Sequence, residues 1–391
     1  MKIFLYNLQV LIVCLLVGGV ALEIYLRFDG RYVDLVSENL VRTRAIWDRP
    51  ANDIQYRKHP DLNHEVKINF NDFRIRNHND QDLSYVKVFQ GKLVGFFGDS
   101  MTENRRIDDE FTFTSLMEKQ LSPQFTVLNF GVDGYGLDQS YLKYLDFENK
   151  EKLSHVFYVF VTNDLRNIYE NQLFDFDGEN LGEPVEITLN PFIETVRKFH
   201  VTYLLIDSFA RLKAKAANET YTSEKLNERI MDKFVSKDDK KNQEKRFHDE
   251  YADSVAKDLL SEKPSAQTLE WANNFRLILS TWKKTAESNG STFTIVVIPT
   301  KAATKLATKL MEDKFGDNLL YLESSFPEGY PNFRFETDDH WNEKGNLRAA
   351  KSILDWGVTE SLWQSNENDW NVLSQKTESA VELLYKSSAS N

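Results

Sequence analysis

The chain has 391 residues, and its 41% hydrophobic and 13% aromatic content is ample for a buried core of one large domain or two. The formal net charge of −12 argues against nucleic acid as a partner, because so acidic a chain does not neutralise phosphates. A single cysteine, Cys14, excludes an intramolecular disulfide framework and a cysteine-based zinc site.

The first segment, residues 1–27, is predicted to be a transmembrane anchor. From Ile3 to Leu22 no residue is charged, and these 20 residues are about the length of a helix that crosses a bilayer. Two alternatives stay open. Gly19-Val20-Ala21 offers a small-residue cleavage site, which is typical of a signal peptide, and the helix could also be buried. We expect a single-pass membrane protein.

The body of the chain changes character at residue 91. Residues 28–90 are predicted to be an irregular polar segment, because they show no sustained period. From residue 91 onward, apolar strands alternate with stretches of helical spacing, which predicts a parallel sheet with helices on both faces. The predicted strands are Lys92–Phe97, Phe125–Asn129, Val156–Val161, Phe293–Ile298 and Leu319–Leu322.

Residues 91–360 are thus predicted to form one α/β domain, interrupted by a charged helical insertion at 176–264. The insertion contains the charge run 237–241, which is typical of a solvated helix, and a partner-binding arm is the alternative. The polar tail, residues 361–391, is predicted to be peripheral.

Four polar clusters follow predicted strands or precede the last predicted helix. In an open α/β sheet, ligands bind outside the carboxyl ends of the strands. Any one cluster alone fits a helix cap or a turn, so the functional interpretation depends on the set. The clusters are Gly98-Asp99-Ser100, Asn129 to Gly134, Thr162-Asn163-Asp164, and Asp338-Asp339-His340.

Together these clusters supply the groups that acyl transfer requires. The hydroxyl of Ser100 is a weak nucleophile until a base takes its proton, and His340 can be that base. Asp338 can fix the tautomer of the imidazole. The oxyanion of a tetrahedral intermediate needs donors, which the backbone N–H groups of Ser100 and Gly134 and the side-chain amide of Asn163 can provide.

This set of motifs resembles the SGNH, or GDSL, hydrolase superfamily over residues 91–170 and 290–355. The resemblance implies a three-layer, flavodoxin-like parallel sheet and a Ser-His-Asp triad that acts through an acyl-enzyme without a cofactor. Many members place the acid three residues before the histidine, where this chain has Thr337. The Asp-x-His spacing of Asp338 is similar to the alginate-acetyltransferase-like branch, and Asp339 is expected to point elsewhere.

Two other hydrolase classes fit less well. The nucleophile elbow of α/β-hydrolases is Gly-x-Ser-x-Gly, and Thr102 stands at its last position. The seven histidines are dispersed and no His-Glu-x-x-His motif is present, so we expect no metal.

We therefore expect a membrane-anchored serine ester hydrolase or O-acyltransferase that acts on O-acetyl groups of an envelope or extracellular glycan. Sequence leaves hydrolysis and transfer open, and a transferase would need a membrane acyl-donor protein as a partner. A lipid or lysophospholipid esterase is an alternative. A non-catalytic SGNH-fold protein of polysaccharide assembly is another, and it would predict a missing catalytic group.

Two residues are candidates for substrate binding. Trp341 could stack on a sugar ring, or could pack the base of the last helix. Arg105, with Arg106, could contact an acidic sugar, or could belong to a solvated helix face.

The orientation of the anchor is argued both ways. Lys2 precedes the apolar stretch, whereas four arginines follow it, and the positive-inside rule then favours a cytoplasmic body. The family resemblance implies an exported catalytic domain, and that is the side we expect.

Overall fold

The computed structural model describes residues 2–29, 43, 45, 47–77, 91–178, 180–185, 199, 201–202, 204–205, 208, 249–326, 330–337, 339–364 and 367–386. The chain divides into two units, Met1–Leu40 with Ile187–Arg246 and Val41–Glu186 with Phe247–Asn391. Most of the insertion predicted at 176–264 lies outside the described residues.

The first unit contains helix α1, Lys2–Asp29. Among the residues that the structure describes, no helix combines the length and the apolar character needed to cross a membrane. The anchor at residues 1–27 stays a prediction.

The second unit is built on one eight-stranded sheet, whose strands run in the order β1-β2-β3-β5-β4-β6-β9-β10. A separate hairpin is formed by β7 and β8. The strands are β1 Asp53–Lys58, β2 Glu65–Phe70, β3 Arg76–Asn77, β4 Lys92–Phe97, β5 Phe125–Asn129, β6 Leu153–Phe160, β7 Phe174–Asp177, β8 Asn180–Pro184, β9 Thr292–Val297 and β10 Leu319–Tyr321.

The helices of this unit connect and cover the strands. They are α2 Ser100–Glu103, α3 Phe113–Leu121, α4 Leu137–Asp146, α5 Asp164–Asn171, α6 Asp249–Leu260, α7 Ala266–Ser288, α8 Lys301–Phe315, α9 Glu343–Thr359 and α10 Glu367–Lys386.

Five of the strands, β5-β4-β6-β9-β10, are parallel, which confirms the predicted parallel sheet. Numbered along the chain, their order is 2-1-3-4-5, the flavodoxin-like arrangement. The third of them, β6, begins three residues before the predicted start at Val156. Its second and third residues are polar and form hydrogen bonds with neighbouring strands, since Ser154 Oγ donates to the Leu93 carbonyl oxygen and His155 Nε2 lies 3.0 Å from Thr294 Oγ1.

The two faces of the sheet are covered by different helices. Successive side chains of a strand point to opposite faces, and Phe96 and Phe97 of β4 show this directly. Phe96 packs edge-on against Phe113 of α3, with ring centroids 5.1 Å apart. Phe97 packs against Tyr144 of α4 and Trp282 of α7, at 5.8 and 5.4 Å. The described part of this unit is therefore three-layered.

The prediction that residues 28–90 are irregular is wrong in part, because this segment contributes strands β1, β2 and β3. The third of these strands pairs antiparallel with β5, at Arg76 and Asn129, and so extends the sheet on that side. A signal was present in β2, where Val66, Ile68 and Phe70 alternate with more polar residues and are 0% exposed.

The prediction of a polar, peripheral tail at residues 361–391 is also wrong for the part of the tail that the structure describes. It forms α10, and Val381 of that helix packs in a buried cluster with Ile107, Phe111 and Phe335. Trp370 and Thr377 are buried as well, so the core-facing positions recur at helical spacing. The residues between these positions are mostly polar, and for this reason the segment was predicted to be a polar tail.

Candidate active site

The serine turn, Gly98–Asn104, joins β4 to the short helix α2. Gly98 has φ +156°, and a Cβ at this position would lie 2.4 Å from Thr102 Oγ1, so no side chain fits there. Asp99 caps α2, since its carboxylate accepts a hydrogen bond from the Met101 N–H at 2.8 Å. Ser100 is thereby presented as the first residue of the helix, at the carboxyl end of a central strand.

The side chains of Ser100 and His340 meet, although 240 residues separate them. Nε2 of His340 lies 2.6 Å from Oγ of Ser100, which is hydrogen-bond distance. An imidazole whose Nε2 is the acceptor can take the hydroxyl proton, the arrangement that nucleophilic catalysis by serine needs. Asp338, the predicted third member, lies outside the described residues.

The histidine loop, residues 335–342, is held by backbone contacts to the serine turn and to its own ends. The carbonyl oxygen of His340 accepts from the Phe335 N–H at 3.1 Å. The carbonyl oxygen of Trp341 accepts from Asn104 Nδ2 at 2.9 Å, which ties this loop to the serine turn. Asn342 then caps α9, because its side chain accepts from the Gly345 N–H at 3.0 Å.

The glycine loop, Gly131–Gly134, follows β5 and packs against the serine turn. A Cβ on Gly131 would lie 2.3 Å from the backbone nitrogen of Glu103, so glycine is required for this approach. Gly134 has φ +82°, a conformation that favours glycine, and the half-buried ring of Trp47 lies beside it. The loop places the predicted oxyanion donor of Gly134 at the same edge of the sheet as Ser100.

Glu103 of the serine turn forms a buried ion pair with Arg49 and also binds the glycine loop, and neither contact was predicted from the sequence. Glu103 accepts from Arg49 Nε at 2.6 Å and from Arg49 Nη2 at 2.8 Å, and both side chains are buried. The second oxygen of Glu103 also accepts from the Asp133 N–H at 2.6 Å. Burial alone would raise the pKa of Glu103, but the charge and hydrogen bonds of Arg49, together with the charge of Arg105, outweigh burial and lower that pKa. The ionised carboxylate thus fixes the serine turn against the glycine loop.

Asn163 lies between β6 and α5, where a capping residue would stand. Its side chain makes no capping hydrogen bond, however, and lies close enough to the carboxylate of Asp99 to lower the pKa of that carboxyl. The amide nitrogen has two hydrogens that it can donate to an acceptor. The structure therefore brings Asn163 to the serine turn.

Two buried carboxylates lie at this turn, and burial makes both hold their protons more strongly. Burial raises the pKa of Asp99 to about 6, although the Met101 N–H and the charge of His340 act in the opposite direction. Burial also raises the pKa of Asp164 well above its usual range, and the neighbouring Asp99 adds to this effect. Asp164 accepts from the Tyr158 hydroxyl at 2.6 Å.

The two predicted substrate-binding residues lie elsewhere than expected. Trp341 is 1% exposed and packs between Phe113 and Phe326, with centroids 5.9 and 6.3 Å apart, so its ring is part of the core. Arg105 is 3% exposed, because β1 covers it, and its Nη2 donates to Gln55 Oε1 at 2.7 Å. For Trp341 the burial favours the alternative that its ring packs at the base of the last predicted helix, and Arg105 does not lie on a solvated helix face.

The side chain of Asp339, which is expected to point away from the imidazole, is 88% exposed and pairs with Arg334 at 2.6 Å. Thr337, at the position where many superfamily members have the acid, donates from its backbone N–H and its hydroxyl to Asp61.

Comparison with known proteins adds little. No protein-family model matches the chain, and no curated protein matches it. Among solved structures, the chain is similar to a "putative lipolytic protein of G-D-S-L family" from Desulfitobacterium hafniense DCB-2, at 11% identity and a TM-score of 0.34. The match covers 67% of this chain and 99% of that chain. A similarity this low carries no argument about function, which depends on the geometry of the site.

Proposed function

We propose that this protein is an SGNH-type serine ester hydrolase or O-acyltransferase, with Ser100 as nucleophile and His340 as base. The observation that carries the proposal is the 2.6 Å separation of Ser100 Oγ and His340 Nε2 at the carboxyl edge of a parallel sheet. The serine turn and the glycine loop lie at the same edge, where ligands of such sheets bind.

The reaction follows from these groups. Oγ of Ser100 attacks the ester carbonyl carbon while its proton passes to Nε2 of His340. In this proposal, the backbone N–H groups of Ser100 and Gly134 and the amide of Asn163 donate hydrogen bonds to the oxyanion. The intermediate then expels the alcohol, which takes the proton from the imidazolium and leaves an acyl-serine. Water or a sugar hydroxyl repeats the sequence and releases the acyl group.

The finer features of the function belong to the same proposal. Asp338 orients His340, the acyl group is an acetyl carried by a glycan outside the cytoplasm, and residues 1–27 attach the protein to a membrane. The choice between hydrolysis and transfer depends on whether water or a hydroxyl reaches the acyl-serine, and transfer would require a membrane acyl-donor protein.

Turnover of p-nitrophenyl acetate tests the chemistry. The wild-type protein should release p-nitrophenol, and Ser100→Ala should remove the activity above background. Ser288→Ala is the matched control, because that serine is exposed on α7 and its hydroxyl donates to the Lys284 carbonyl oxygen. Undiminished turnover in Ser100→Ala would refute the proposed nucleophile.

Membrane attachment is tested separately by fractionating cells that express the full chain. The protein should sediment with membranes and resist extraction by alkaline carbonate, and a variant without residues 1–27 should be released. Full extraction of the intact chain would contradict an integral anchor, but it would leave the proposed ester chemistry unaffected.

A further inference from the structure

The half-buried indole of Trp47 lies beside the glycine loop and takes no part in the proposed chemistry. A Cβ on Gly134 would lie 3.6 Å from Cζ2 of Trp47, which is ordinary van der Waals distance. Gly134 itself is exposed, so a ligand can reach its backbone. The indole therefore borders the residue whose N–H is the proposed oxyanion donor.

The backbone around Trp47 is fixed by buried partners. The carbonyl oxygen of Trp47 accepts from the Tyr135 hydroxyl, and the two rings meet edge-on with centroids 6.0 Å apart. The next two residues, Asp48 and Arg49, are both buried and both form ion pairs. The indole is thus held in place before a ligand arrives, so contact with it costs little conformational entropy.

The glycine loop connects Trp47 to the serine turn. At the start of the turn, the Val132 N–H donates to the Gly98 carbonyl oxygen at 3.1 Å. At its end, the Asp133 N–H donates to the Glu103 carboxylate at 2.6 Å. The loop is therefore fixed against both ends of the turn that presents the nucleophile, and the indole lies against this loop.

The charge of the proposed base also reaches the glycine loop. Burial would raise the pKa of Asp133, but positive charges outweigh burial and lower it, Arg106 most strongly and His340 among the others. A charge shifts a pKa in this way only when it is near the group. Because Asp133 directly precedes Gly134, the imidazole and the glycine loop border the same site.

The geometry of acyl transfer decides which part of an ester the indole meets. The carbon of the tetrahedral intermediate carries Oγ of Ser100, the oxyanion, the alcohol oxygen and the acyl chain. The alcohol oxygen must lie toward His340, because it takes the proton from the imidazolium. The oxyanion lies at its donors, among them Gly134. The acyl chain is the group left to extend along the glycine loop past Trp47.

We propose that Trp47 forms the wall of the acyl side of this site and limits the substrate to esters of short acyl groups, such as acetyl. An acetyl group ends at its methyl carbon, whereas a longer chain must displace the indole or bend around it. Forcing extra methylenes against fixed side chains is unfavourable. The inference rests on the proposed function, because it takes Ser100 as nucleophile and Gly134 as oxyanion donor.

The acyl-chain preference of Trp47→Ala tests this wall. The p-nitrophenyl esters of acetate, butyrate and hexanoate share one alcohol, so they differ only on the acyl side. Wild type should prefer acetate. Trp47→Ala should raise kcat/KM for hexanoate relative to acetate by about tenfold or more, since even one methylene in a pocket can be worth that much. Trp47→Phe keeps a smaller ring and should shift the ratio in the same direction by less.

Trp356→Ala is the matched control for lost packing. Trp356 is also half-buried, but it packs against His155 near the amino end of β6, away from the carboxyl edge where the site lies. Its loss should lower stability and leave the hexanoate-to-acetate ratio unchanged. Each ratio is measured within one sample, so a smaller folded fraction cancels. Equal shifts in Trp47→Ala and Trp356→Ala would mean a general loosening of the fold and would overturn the wall.

The remaining outcomes separate this inference from the proposed function. A wild-type preference for hexanoate, or an unchanged ratio in both Trp47 variants, would overturn the wall and leave the esterase proposal intact. If KM for acetylated xylo-oligosaccharide rises in Trp47→Ala while the ratio stays unchanged, the indole contacts the sugar and the wall is refuted. Turnover of none of the three esters by wild type would refute the proposed function, and the wall with it.

Discussion

The serine turn and the histidine loop present the two reactive side chains in different ways. The serine turn is buried and is tied to other segments by polar contacts, such as Arg76 Nη1 donating to the Glu103 carbonyl oxygen at 2.5 Å. The histidine loop is more open, with His340 half-buried and Asp339 88% exposed. The comparison teaches that one partner of the reactive pair is fixed by the core and that the other is brought to it from the surface.

The two carboxylates of the histidine loop test how this loop holds His340, and they give the largest expected effect. Asp338→Asn should lower kcat by about 10⁴-fold, because the imidazole loses the group that fixes its tautomer. Asp339→Asn should cost far less, since that carboxylate pairs with Arg334 in solvent. Steady-state kinetics on p-nitrophenyl acetate measures both. The reverse ranking would mean that Asp339, and not Asp338, orients His340.

The buried Arg49–Glu103 ion pair tests whether the serine turn is fixed by the core. Arg49→Met leaves Glu103 charged and unpaired in the core, and this should lower the free energy of unfolding by about 3–5 kcal/mol. The matched control is Lys283→Met, which breaks the exposed pair with Glu287 at 2.6 Å and should cost about 0.5 kcal/mol or less. Urea denaturation measures both. Similar small losses would show that the core does not depend on this pair.

Asn163 tests whether the amide at the serine turn acts in the transition state. Asn163→Ala should lower kcat by about 10²–10³-fold, equivalent to about 2.7–4 kcal/mol, and leave KM nearly constant. The fold should survive, because the side chain makes no capping hydrogen bond. Asn273→Ala, an exposed amide on α7, is the control. A rise in KM alone would make Asn163 a ground-state contact, and unfolding would make it structural.

Asp138, on α4 behind the glycine loop, gives a test by pH. Burial raises its pKa to about 7, and Oδ2 has no hydrogen-bond partner. The folded state therefore holds the proton more strongly than the unfolded state, so stability falls as pH rises from about 4 to 7. Asp138→Asn should remove this loss of stability. At about 1.4 kcal/mol per pKa unit, the loss is at most about 4 kcal/mol.

The new amide must also be buried, at a cost of about 2 kcal/mol that does not depend on pH, so Asp138→Asn should be about 2 kcal/mol more stable than wild type at pH 8 and about 2 kcal/mol less stable at pH 4. Thermal unfolding across this range measures it. Asp99 and Asp109, whose pKa values burial also raises to about 6, should leave a residual slope in the variant. Parallel pH curves for the two proteins would contradict the account.

The same comparison explains which parts could be predicted from the sequence. Strand β4 and the serine turn follow from a local pattern, an apolar run that ends in Gly98-Asp99-Ser100. The Arg49–Glu103 pair spans 54 residues, and nothing in the flanking sequence of Arg49 indicates its partner. Trp341 and Arg105 were assigned from their neighbours in sequence, whereas burial by α3 and β1 decides their environment. A motif within one short segment could therefore be predicted from the sequence, whereas a contact between distant segments could not.

The central claim is that Ser100 is a nucleophile activated by His340, and covalent labelling tests it most directly. A fluorophosphonate probe followed by peptide mass spectrometry should find one adduct, on Ser100. Labelling should disappear in Ser100→Ala and slow strongly in His340→Ala, because the hydroxyl then lacks its base. An adduct that persists in Ser100→Ala, or that forms equally fast in His340→Ala, would contradict the account.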